Sequence, residues 1–105
     1  MTVFLRLQVF YSQGDESRLF AALEAFAAVC KIRGVGRGID VKLDIRRLSR
    51  ESLRDLIALL YRYRIPLRPL GVLADRRRFA WLNDPLKYWH RSMFGAGRKR
   101  SATRP

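Results

Sequence analysis

The strict alternation at the start of the chain constrains its fold more than any other feature. Val3, Leu5, Leu7, Val9 and Tyr11 share one parity, and Phe4, Arg6, Gln8 and Phe10 share the other. A period of two places the sets on opposite faces of a β-strand, and such a strand must join a sheet whose apolar face is covered. Ser12-Gln13-Gly14-Asp15 then supplies turn and cap chemistry. Leu19, Phe20, Leu23, Phe26, Ala27 and Cys30 follow at helical spacing, which predicts a first helix over about 16–32. The loop Gly34-Val35-Gly36-Arg37-Gly38 stops it. A second strand is predicted over 39–45, where Ile39, Val41, Leu43 and Ile45 alternate with Asp40, Lys42 and Asp44.

Ser49 is placed to cap a second helix whose apolar stripe is Leu53, Leu56, Ile57 and Leu60, and Pro66 ends it. Leu70-Gly71-Val72-Leu73-Ala74 reads as a third strand and Arg78-Phe79-Ala80-Trp81-Leu82 as a shorter fourth. Asp84-Pro85 is a helix start, with Leu86, Trp89, His90, Met93 and Phe94 on one side of the third helix and Lys87 and Arg91 on the other. The expectation is one α/β domain over residues 1–94 with the order β-α-β-α-β(-β)-α. Two helices lie on one face of a three- or four-stranded sheet, and a third amphipathic helix follows. Crossover helices imply right-handed connections and partly parallel pairing. Gly95 to Pro105 has no apolar residue larger than alanine and reads as a flexible basic tail.

Charge narrows the function. The chain carries 22 Lys plus Arg against 9 Asp plus Glu, a formal net charge of +13. In the last thirty positions the basic residues are Arg76, Arg77, Arg78, Lys87, Arg91, Arg98, Lys99, Arg100 and Arg104, and the one acid is Asp84. Such a concentration raises the local density of polyanions, and arginine forks match phosphate geometry. The expected nucleic-acid-binding residues are Arg76, Arg77, Arg78, Lys87, Arg91, Arg98, Lys99 and Arg100 for phosphates, with Trp81, Tyr88 and Trp89 for stacking. The sequence leaves DNA against RNA open. The sheet face bearing Phe4, Arg6, Phe10 and Lys42 either stays open, as in sheets that stack bases, or is covered by the third helix or a second copy of the chain.

Catalytic patterns are sparse. Asp40-Val41-Lys42, with Asp44, has the acid-x-lysine spacing of metal-dependent nucleases but lacks an acid on the preceding strand. Cys30 and His90 are the sole cysteine and histidine, which excludes a closed structural zinc site and an intramolecular disulfide. Cys30 falls on a core stripe. The glycine loop lacks the lysine-serine ending of a phosphate-binding loop and enters a strand rather than a helix. No cofactor or metal is called for. The first residues lack the pattern of a signal peptide, and no apolar run approaches the roughly 20 residues that span a bilayer, so a cytoplasmic location is expected.

Val41-Lys42-Leu43-Asp44, Leu48, Leu53, Leu56, Leu60, Arg64 and Leu67-Arg68-Pro69-Leu70-Gly71-Val72 resemble the N-terminal domain of the septum-site inhibitor MinC and, more loosely, the STAS family. With the first strand and helix included, the resemblance covers about residues 3–75. It implies a non-enzymatic β-α-β-α-β domain that binds the division protein FtsZ. The basic segment from Trp81 to Arg104 has no counterpart in it. The leading expectation is a small non-enzymatic nucleic-acid-binding accessory protein. The alternative is a protein-interaction module, either MinC-like or a basic subunit docking on an acidic partner, and a metal-dependent nuclease stands third.

Overall fold

Three antiparallel strands make one sheet in the computed structural model, which describes residues 1–7 and 13–95. The elements are β1 (Thr2–Arg6), α1 (Gln13–Glu24), β2 (Val29–Val35), β3 (Gly38–Leu43), α2 (Arg50–Arg62) and α3 (His90–Phe94). Short 3-10 segments occupy Ile45–Arg47, Arg68–Asp75 and Arg77–Leu82. The chain divides into two compact units, Met1–Ile65 and Pro66–Pro105. The α/β class expected from the sequence is present, while several elements differ from the expectation.

In the first unit the strand order is β1-β3-β2 and both pairings are antiparallel. Partly parallel pairing was expected. β1 and β2 do run in the same direction and are joined through a helix, but β3 lies between them, so no neighbouring strands are parallel. Val3 and Leu5 of β1 and Ile39, Val41 and Leu43 of β3 are buried. Leu19 and Leu23 of α1 and Leu53, Leu56, Ile57 and Leu60 of α2 complete this core. The two amphipathic helices and the apolar face of the sheet thus exclude water together.

α1 ends at Glu24 rather than near residue 32, and Val29–Val35, expected as helix and loop, is β2. The reason is a bulge. β2 pairs Val29 with Leu43 and then Lys31 with Lys42, leaving Cys30 as the extra residue. That insertion shifts the phase, so the inward positions become Val29 and Ile32, three apart, and the alternation that would mark a strand is broken. Cys30, expected on a helical core stripe, is exposed on this strand. Gly36 takes φ of 56° at the first central position of the two-residue connection between β2 and β3, the place a type II′ hairpin reserves for glycine.

β3 stops at Leu43, two residues short of the expectation, because Asp44 caps the next turn: its Oδ1 accepts from the Arg46 N–H at 3.1 Å. Ser49 caps α2 as expected. Its Oγ accepts from the Ser52 N–H at 3.0 Å, and Ser52 Oγ accepts from the Ser49 N–H at 3.0 Å, a reciprocal capping box. At the other end Arg64 N–H donates to the Tyr61 carbonyl and Ile65 N–H to the Leu60 carbonyl, both at 3.0 Å. This is a Schellman closure in which Arg64, at φ 58°, takes the left-handed position usually given to glycine.

In the second unit the expected third and fourth strands are 3-10 helices. Leu70 and Leu73, and Phe79 and Leu82, are the buried residues of these segments. Both pairs are three apart, the period of a 3-10 helix, and Pro69 near the start of the first segment presets a helical φ. A short apolar run gives no reliable sign of which period applies. The third helix is also shorter than the predicted span from Asp84. Asp84 Oδ1 accepts from the Leu86 N–H at 3.0 Å, and its carbonyl accepts from the Lys87 N–H at 3.0 Å, so the cap chemistry closes a turn instead. Helix begins only at His90. A Cβ on Gly71 would lie 3.0 Å from the Met93 carbonyl oxygen, which explains glycine where the first 3-10 segment meets α3. Leu67 N–H donates to Ser92 Oγ at 3.1 Å across the same unit. The tail expected over 95–105 lies, beyond Gly95, outside the described residues.

Candidate nucleic-acid interface

Arg76 joins the two 3-10 segments of the second unit in extended conformation, φ −87° and ψ 136°. Its N–H donates to the Leu73 carbonyl and its carbonyl accepts from the Phe79 N–H. The chain therefore turns a corner at Arg76, and Arg76, Arg77 and Arg78 are all exposed there. The Arg78 guanidinium carbon lies 4.6 Å from the centroid of the buried Phe79 ring, an arrangement that holds the cation by its attraction to the ring face. Lys87 and Arg91 are exposed as well. Arg98, Lys99 and Arg100 lie outside the described residues. From Pro66 onward the sequence holds ten basic residues and two acids, Asp75 and Asp84. Of the acids, Asp84 is engaged in its own turn.

The three aromatic residues expected to stack on bases form one cluster and divide in role. Trp89 is its centre, meeting Trp81 edge-on at 5.9 Å and Tyr88 edge-on at 5.2 Å. Only 4% exposed, it donates its indole N–H to the Leu82 carbonyl at 2.9 Å. Trp89 is therefore a core residue rather than a stacking surface. Trp81 is half-buried and donates its indole N–H to the Arg78 carbonyl at 3.1 Å, tying the aromatic cluster to the arginine corner. Tyr88 is exposed. His90 Nε2 lies 2.8 Å from Asn83 Oδ1 and its ring packs 4.9 Å from Phe94, a packed and hydrogen-bonded setting.

In the first unit Asp40 faces outward on the central strand, and its cross-strand neighbours are Phe4 and Arg33. Neither is an acid. Asp44, expected on the same strand face, is the turn cap and lies 3.7 Å from both Arg46 Nε and Arg47 Nε. Among the described residues no three His, Cys, Asp or Glu side chains gather as a metal site. Lys31 and Arg33 join Phe4, Arg6 and Lys42 on the outer face of the sheet. Neither was expected there, because the segment that carries them has the spacing of a helix rather than of β2. The Gly36 turn between two runs bearing Val and Ile was the available signal.

No protein-family model, curated protein or solved structure matches the chain. Among the described residues no helix is long and apolar enough to cross a membrane.

Proposed function

We propose that this protein is a small non-enzymatic nucleic-acid-binding accessory protein that takes phosphates on the basic surface of its C-terminal unit. The observation that carries the reading is the arginine corner. Three consecutive exposed arginines sit on a turn fixed by backbone hydrogen bonds, so little order remains to be imposed on the backbone when phosphates bind. Lys87 and Arg91 extend the positive surface, and the tail basics Arg98, Lys99 and Arg100 add charge from the sequence alone. Tyr88, and Trp81 in part, offer the aromatic surface for stacking. The test is fluorescence anisotropy of labelled DNA and RNA with the full chain and its R76A/R77A/R78A variant. The reading requires at least a roughly tenfold loss of affinity in the variant at fixed salt, since every phosphate deprived of its arginine weakens binding. Equal affinities would refute it.

A second reading draws on a different observation. Leu86 is 93% exposed and Val72 58% exposed in the same unit, and exposed apolar side chains beside cations also suit docking on an acidic protein. This is the interaction-module alternative, to which the MinC resemblance belongs. It predicts a partner whose capture survives nuclease treatment and is lost in L86S.

A further inference from the structure

The outer face of the sheet in the first unit is a small cationic surface built around one aromatic ring. Directly paired residues of antiparallel strands point to the same side, so the register defines this face row by row. Thr2, Lys42 and Lys31 form one row, Phe4, Asp40 and Arg33 the next, and Arg6, Gly38 and Val35 the third. Four cations stand against one acid. Among the described residues no hydrogen bond or ion pair engages the side chains of Arg6, Lys31, Arg33 or Lys42.

Two details separate this face from an ordinary solvated one. Lys31 and Lys42 are directly opposite each other, a like-charge pairing that destabilises a sheet unless an anion is shared between them. Phe4 is 42% exposed and its ring lies over the backbone of Gly38: a Cβ there would come within 2.6 Å of Phe4 Cζ. Glycine at that position lets the ring lie down on the strand, with part of its surface still open and cations on both flanks. An aromatic platform ringed by phosphate-binding charges fits a chain that offers unstacked bases and backbone anions at once.

We infer that this sheet face binds a single-stranded nucleic-acid segment, with one base on Phe4 and phosphates on Arg6, Lys31, Arg33 and Lys42. The inference rests on the nucleic-acid reading of the protein but uses a separate set of residues. The face offers shape and charge without an evident base-reading group, so the bound strand is selected by being unpaired more than by its sequence.

The test uses the full chain, a labelled oligothymidylate of about ten nucleotides, within the site sizes of single-strand binders, its abasic counterpart, and a duplex. F4L keeps an apolar cover on Gly38 and removes the π-face. It should weaken oligothymidylate binding by roughly 5- to 150-fold, as loss of one stacked base does, while F4Y restores it and abasic binding stays unchanged. K31Q/K42Q should lower the salt slope for the single strand by about 1.4, as the removal of two phosphate-neutralising cations does, without lowering the melting temperature. That variant keeps the inference testable if F4L unfolds. Wild-type single-strand affinity and slope in F4L and K31Q/K42Q, with R76A/R77A/R78A defective, would overturn the inference and leave the arginine corner standing. The opposite pattern would overturn the corner and support the sheet. Preference for duplex, or self-association abolished by F4L with single-strand binding intact, would show that another occupant covers this face.

Discussion

Trp89 shows how one side chain does two jobs in a small core. Its ring fills the centre of an aromatic cluster, and its indole N–H satisfies the Leu82 carbonyl where no water reaches. W89F keeps most of the apolar packing and orphans that carbonyl, so it should destabilise the protein by about 1–3 kcal/mol, the cost of a buried unsatisfied polar group. A shift in the urea midpoint measures it, and an unchanged midpoint would show that the hydrogen bond carries no weight. Arg64 is the converse case. It pays the steric cost of a left-handed conformation to close α2, a conformation glycine adopts freely. R64G should therefore stabilise the fold by about 1 kcal/mol and raise the melting temperature in calorimetry, and a fall would show that the arginine side chain makes a compensating interaction.

At the scale of elements, α2 was legible because independent signals agree. The 53, 56, 57, 60 stripe, the Ser49 cap and Pro66 all set the same limits, and those four residues are buried. S49A removes one half of the capping box and should cost about 1 kcal/mol in denaturant unfolding; no change would mean that Ser52 or solvent replaces it. β2 was hidden because the bulge at Cys30 breaks its alternation, and Cys30 itself falls in helical phase with Leu23 and Phe26. The 3-10 segments were hidden because Leu70-Gly71-Val72-Leu73-Ala74 has strand-like composition, whereas its burial follows spacing three. Asp84-Pro85 had the chemistry of a helix start and closed a turn, since the same carboxylate-to-N–H bond serves both structures. That Arg76, Arg77 and Arg78 are exposed follows from their charge, but the corner on which they stand does not, since Arg78 was expected to open a strand and lies in a 3-10 segment instead. The apolar side that Trp89 shares with Met93 was legible too, and both are buried, whereas the hydrogen bond of Trp89 to Leu82 depends on a fold of the intervening residues that no local pattern records. Gly38 tests the sheet itself. G38A would drive a methyl group into the Phe4 ring and the Leu5 carbonyl, so the variant should lose stability, and an unchanged melting temperature would show that the ring can move aside at no cost.

For the whole molecule, the charge is carried unevenly: ten basic and two acidic residues from Pro66 onward, against twelve and seven before it. The first unit nevertheless concentrates four of its cations on one sheet face, so both units offer a surface of the same sign. Attraction of this kind is strongly dependent on salt, because each phosphate neutralised releases counterions. The most direct measurement is the dependence of DNA affinity on salt for the full chain and for R76A/R77A/R78A, with folding checked by circular dichroism. If the arginine corner neutralises phosphates, the slope of log affinity against log salt for duplex DNA should fall by about 2–3 in the variant, as removal of up to three phosphate-binding cations requires. A slope identical in the two proteins would place those arginines outside the binding surface and contradict the account.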